Sequence, residues 1–282
     1  MTLIVLHDEN RYVGGAKISD DELRDRIERL LATDTLIRED DEPIRKTNAL
    51  YEAEVQPGVM LWQLLFEPEN QRLSRDINFQ LQLAVDQSTV VAEDEVIQAT
   101  VVGALGPFAS SDHYVVDSES DWRSAVREDL HLAPGASAEF HQRCSKAFPR
   151  LHLSASFPKC LDTFDGGLQR YARLIVRCFS ELNDEWTLPP GADLPEQLRS
   201  FSISSGFDTT LEGNGDRKPA LSFKFAVDDT RSEIVLCEPH MKISGCDDEG
   251  DHTFRHHRIY FAPRSHDSFG NHVLVGHAGK HL

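Results

Sequence analysis

Eight of the chain's 13 histidines fall between Cys237 and Leu282: His240, His252, His256, His257, His266, His272, His277 and His281. Lys242, Arg258, Tyr260 and Lys280 stand among them. Histidine is the side chain that titrates nearest neutral pH, and it is also the commonest metal ligand. Such a mixture suits acid–base chemistry on a phosphodiester. Lysine or arginine would stabilise an anionic transition state, and histidine or tyrosine would move protons.

Alternation along strands decides which of these residues can meet. In His240-Met241-Lys242-Ile243 the apolar pair points one way, and His240 and Lys242 point the other. In Arg258-Ile259-Tyr260-Phe261, Ile259 and Phe261 face the core while Arg258 and Tyr260 face out. If the two strands are neighbours, all four polar side chains share one outward sheet face. His277 follows in a glycine-containing terminal element, Gly276-His277-Ala278-Gly279-Lys280-His281. The candidate catalytic set is therefore His240, Lys242, Arg258, Tyr260 and His277. The same residues also fit the ordinary polar face of a half-buried antiparallel sheet.

Other chemistries have weaker patterns. Cys237-x2-His240, Cys246 and His252-x3-His256 could ligate zinc, but the series matches no zinc motif closely. Glu238 and Lys242, with Asp228 or Asp229 upstream, have the residue types of a metal-dependent nuclease, but the spacing is wrong and Pro239 interrupts. Asp208 to Asp216 lacks the ligand order of a calcium loop and reads as a hairpin loop. Ser204-Ser205-Gly206 lacks the glycines of a nucleophile elbow. There is no P-loop or dinucleotide fingerprint. No cofactor and no resident metal are expected.

The elements that must position these residues fall into two regions. Ser19-Asp20-Asp21-Glu22 fits a capping box, and Leu23, Ile27, Leu30 and Leu31 continue a helix to about Ala32. Residues 34–58 are charged and loop-like. Met60 to Phe66 reads as a buried helix, while Ile77, Phe79, Leu81 and Leu83 alternate like a strand in a segment that also tolerates a helix. Ser118 is an N-cap candidate for a helix through Trp122, Val126 and Leu130, and a further helix covers Ser137 to Ala147. The longest amphipathic helix runs from Leu168 to about Asn183. Leu188-Pro189-Pro190-Gly191 then marks a boundary. Beyond it Phe201–Ile203, Ala220–Ala226, Glu233–Cys237, His240–Ile243, Arg258–Phe261 and His272–Val275 are strand-like. The expected fold is α+β: a mainly helical acidic region (1–190) followed by an antiparallel β-rich module (195–282).

Charge sharpens that division. The chain carries −18 overall. Residues 1–100 hold 10 Lys+Arg against 21 Asp+Glu, a net of −11, whereas 231–282 hold 6 against 7, a net of −1. An acidic body repels polyphosphate backbones, so nucleic acid is expected only at a neutral or basic edge. Five widely spaced cysteines suit a reducing cytosol. No stretch has the roughly 18–20 apolar residues of a membrane span, and the N-terminus reads as a first strand rather than a signal. The expectation is a cytoplasmic protein without membrane contact.

The pattern Pro239-His240-Met-Lys242-Ile, His257-Arg258-Ile-Tyr-Phe261 and His272-Val-Leu-Val-Gly-His-Ala-Gly-Lys-His-Leu282 resembles the end of RelE/ParE-type toxin domains. It is more similar to an uncharacterised group of bacterial phage-defence-associated proteins. The toxin resemblance covers about 80 residues, and the chain departs from it in being long and acidic. What the resemblance implies is a component of an anti-phage defence system, acting as a toxin-like ribonuclease through Lys242, Arg258 and Tyr260. The alternative is a non-catalytic subunit of a defence complex, zinc-stapled or not. In both cases partner proteins from the same operon would dock on the acidic N-terminal region, and RNA is the candidate substrate of the first.

Overall fold

The computed structural model describes residues 4–6, 19–56, 58–70, 72–92, 100–102, 114–212, 215–243 and 257–282. The chain forms two compact units, Met1–Val126 and Arg127–Leu282. It is α+β, with most helix before Leu194 and an antiparallel-rich sheet at the C-terminal end.

In the first unit the elements run β1 (Ile4–Leu6), α1 (Asp20–Glu39), β2 (Ile44–Lys46), β3 (Glu54–Gln56), β4 (Val59–Met60), α2 (Leu61–Phe66), α3 (Arg75–Gln87), β5 (Thr89–Val90), β6 (Thr100–Val102) and β7 (Tyr114–Val116). The helix α4 (Glu119–Leu132) follows and carries the chain into the second unit. Ser19 begins α1 as expected, its Oγ accepting from Glu22 N at 3.1 Å. The helix continues past Ala32 because Ile37 is buried on its inner face and Arg38 forks onto Asp34 at 2.9 and 3.0 Å. The ambiguous 72–85 segment is helical. Ser74 caps it, and Asn78, Leu81, Ala84 and Val85 form the buried stripe, leaving Phe79 and Leu83 exposed.

Of the sheet in this unit the sequence announced its first strand, β1. Five strands pair in parallel in the order β5-β2-β1-β6-β7, reversing direction of growth at β1 as doubly wound sheets do. Each strand is only two or three residues long, too short to show periodicity.

The second unit contains α5 (Ser137–Ala147), β8 (Leu151–Leu153), α6 (Phe157–Leu161), α7 (Leu168–Asp184), α8 (Leu194–Ser205), β9 (Thr209–Leu211), β10 (Ser222–Ala226), β11 (Ser232–Leu236), β12 (Pro239–Lys242), β13 (His257–Phe261) and β14 (Val273–Lys280). Five strands form one sheet in the order β8-β14-β13-β12-β9, with β8 parallel to β14 and the rest antiparallel. The Pro189-Pro190 break lies inside this unit, and the sheet takes β8 from before it and the other four strands from after it.

Met241, Ile243, Ile259 and Phe261 bury one face of the sheet. The Tyr171 ring on α7 meets His257 at 4.7 Å, and Trp186 meets Phe261 and Phe201 edge-on, both at 5.1 Å. A β10–β11 hairpin contributes Phe223, Phe225, Val235 and Cys237 to a second apolar cluster with Tyr260, Ala262, Phe269 and Leu274. Phe201-Ser-Ile203, expected as a strand, lies in α8. Leu198, Phe201 and Ser205 recur at helical spacing and are buried, while Ile203 stays 79% exposed.

Candidate functional site

The site is built from residues two apart on three adjacent strands. β12 and β13 pair in the register His240↔Tyr260 and Lys242↔Arg258. β13 and β14 place His277 opposite Tyr260 and Gly279 opposite Arg258. All five sequence-selected residues therefore meet on one face, as two neighbouring rows. The inner row is Thr210–His240–Tyr260–His277, and the outer row is Lys242–Arg258–Gly279.

Burial separates the rows. The expectation of an outward face fails for the inner one: Tyr260 is 0% exposed, His277 3% and His240 4%. The physical reason is the second apolar cluster, in which the hairpin residues enclose Tyr260. The Phe223 ring stacks near His277 at 6.3 Å, and Gly276 leaves room for it. His240, Tyr260 and His277 make successive ring contacts at 5.1 and 5.9 Å.

In the outer row Lys242 keeps 33% of its side chain exposed and donates to Asp208 Oδ2 at 2.5 Å. Arg258 is half-buried, and one of its terminal N–H groups donates to the His257 carbonyl at 2.8 Å. No protein acceptor meets Arg258 Nε among the described residues. Two cations directly opposite each other on adjacent strands repel, which is costly unless anions compensate.

The electrostatics follow from these positions. Burial, then the neighbouring Arg258, pushes the His240 imidazole down to about 4, with Glu212 opposing. Burial also holds His277 below its ordinary value, against the carbonyls of Lys280 and Gly279. Both rings are neutral near pH 7.

Three contributors were missed in the sequence. Asp208, Thr210 and Glu212 flank and form β9, in the stretch read as a hairpin loop. Thr210 Oγ1 lies 3.3 Å from His240 Nε2, and Glu212 Oε2 lies 3.3 Å from His281 Nε2. Their i, i+2, i+4 spacing was the available signal. Conversely, His257 belongs to the opposite face, 0% exposed beside Phe164 and Tyr171.

Of the zinc series only Cys237 and His240 lie among the described residues, where no group of three His, Cys, Asp or Glu side chains could hold a metal. Cys237 sits in the apolar cluster with its thiol pushed up by burial, away from the thiolate a metal needs. Cys246, His252 and His256 lie outside the described residues. Glu238 pairs with Lys218 at 3.6 Å, and Asp228 caps a tight turn through Thr230 and Arg231. Neither arrangement resembles a nuclease carboxylate pair.

Among the described residues no helix is long and apolar enough to cross a membrane. Compared with known protein families, curated proteins and solved structures, the chain matches none.

Proposed function

We propose that the chain is a component of a bacterial anti-phage defence system and that its C-terminal unit is a toxin-like, RNA-directed effector. Lys242 and Arg258 would bind the phosphodiester and stabilise charge developing on it. The observation that carries this reading is their direct cross-strand register, two cations facing each other beside a neutral imidazole, with Asp208 paired to Lys242. Burial does most to depress His240 and the neighbouring cations add to it, so an anion bound there would offset the cations' part and raise its basicity. His240 would be the proton acceptor of the set, which requires this buried ring to be reached from the Lys242–Arg258 edge. Tyr260 and His277, fully enclosed, would hold its ring in place rather than touch substrate.

The test compares wild type with a Lys242→Ala/Arg258→Ala double variant for growth inhibition and RNA integrity, with and without neighbouring genes. RNA cleavage by wild type that the double variant loses is the expected result. If wild type neither slows growth nor cuts RNA in either setting, the enzymatic reading fails.

A second reading rests on a different observation. Ile234 and Leu236 project from the outer face of the hairpin, 75% and 37% exposed, while its inner face is packed. A non-catalytic subunit would use such a surface, or the acidic N-terminal region, to hold a partner from the same operon. Co-purification with such a partner, lost in Ile234→Asp without loss of fold, would favour this reading.

A further inference from the structure

At the end of β13 away from Arg258, a cavity of about 620 Å³ opens between the segment around Pro189-Pro190 and the turn that joins β13 to β14. Its volume falls in the range of small-molecule sites. Its polar lining includes Arg150, Arg264, His272, Asn271 and Ser265, and no carboxylate side chain lines it among the described residues. For a chain of net charge −18 this is an unusual local balance.

The two arginines differ in a useful way. Arg150 is fixed, donating to the Asn183 carbonyl at 2.5 Å and the Trp186 carbonyl at 3.1 Å. Carbonyls orient a guanidinium without neutralising it. Asp184, the acid that senses its charge, is already forked by Arg127 at 2.7 and 2.9 Å. Arg264 is exposed, and no acid pairs with it among the described residues. His272 is held with Nδ1 on the Phe269 carbonyl at 2.6 Å, which leaves Nε2 as its remaining polar atom. The rest of the wall is apolar and stiff: Leu188, Pro189, Pro190 and Pro263, above buried Trp186 and Val273.

The geometry points to a binding site for a nucleoside monophosphate, with the phosphate held by Arg150 and Arg264 and the sugar and base lying on the proline-rich wall. The exposed Arg264 guanidinium can match phosphate oxygens in pairs, Arg150 adds a fixed positive charge, and the rigid wall loses little entropy on covering a flat ring. The site is independent of the Lys242–Arg258 edge and does not rest on RNA cleavage.

Calorimetric titration of the full chain with AMP, adenosine and inorganic phosphate tests this. AMP is expected to bind, adenosine not to bind measurably, and inorganic phosphate to bind more weakly than AMP. Arg264→Ala removes an exposed side chain and is expected to weaken AMP binding about tenfold or more. Asn271→Asp, which adds a carboxylate to the same cavity, should weaken it comparably. Lys224→Ala, on the outer face of β10, should leave it unchanged. Absence of AMP binding at millimolar concentration, adenosine binding as well as AMP, or AMP affinity unaffected by both cavity variants overturns the proposal. Equal affinity for phosphate and AMP overturns the nucleoside part of it.

Discussion

The two rows on the C-terminal sheet are a matched pair. They lie two residues apart on the same strands and the same face, yet one is sealed and the other reaches solvent. Lys242 and Arg258 retain the access that a charged ligand needs. Tyr260 and His277 have lost it to the hairpin that folds over them, and His240 is buried at the other end of the row, beside Thr210. Side-chain alternation assigns a face to each residue but says nothing of what covers that face. A set of polar residues on one face can therefore be half core and half site.

The widest separation between the rows should come from Tyr260→Ala. Removing a fully buried aromatic from the second cluster is expected to cost about 3–5 kcal/mol in denaturant unfolding. A loss below about 1 kcal/mol would show that the hairpin does not seal this row.

Acid should distinguish the rows next. An unfolded histidine titrates near 6.5, and His240 in the fold near 4. Between those values the unfolded chain binds a proton that the folded chain refuses. Stability from this group is therefore complete above about pH 6.5 and falls as pH drops toward 4, by about 2 kcal/mol at pH 5. His277 acts in the same direction. Thermal unfolding at pH 7 and pH 5 should show the loss, and His240→Gln should reduce it. An unchanged pH slope in that variant would remove His240 from the inner row.

Gly276→Ala probes the cover itself. A Cβ there would lie 2.2 Å from the Phe223 ring, so the hairpin must shift. Overpacking of this kind costs about 1–3 kcal/mol, and a chemical-denaturation curve matching wild type would contradict the contact. The smallest effect belongs to the outer row. Lys242→Ala breaks a partly exposed ion pair with Asp208 and should change stability by less than about 1 kcal/mol, decreasing with added salt. Loss of function from Lys242→Ala alongside unchanged melting would sharpen the contrast, whereas a large fall in melting temperature would merge the two rows.

Much of the local structure was legible because its causes are local. Ser19 and Ser118 announced helix starts through a hydroxyl and a carboxylate three residues on, and both hydroxyls accept the expected backbone N–H. The stripe from Leu168 to Leu182 repeats over a long helix, so its periodicity is unambiguous. Short windows misled. Phe201-Ser-Ile203 alternates over three residues, but the helical spacing of Leu198, Phe201 and Ser205 prevails. In α3 the apolar residues at alternate positions include two that remain in water. At the candidate site, the pairing of His240, Lys242, Arg258 and Tyr260 followed from alternation once their strands were neighbours. Asp208 and Glu212 were missed because β9 is three residues long and lies next to a polar turn.

By itself the sequence determined the α+β class, the main helix starts and the face of each late-strand side chain, since caps and periodicity act within a few residues. Only the tertiary structure decided that β8 joins β14, that a parallel sheet orders the first unit, and that a hairpin closes over Tyr260 while Lys242 and Arg258 remain reachable. Strand pairing and burial depend on segments far apart in the chain, and the same alternating pattern is compatible with a covered or an open face.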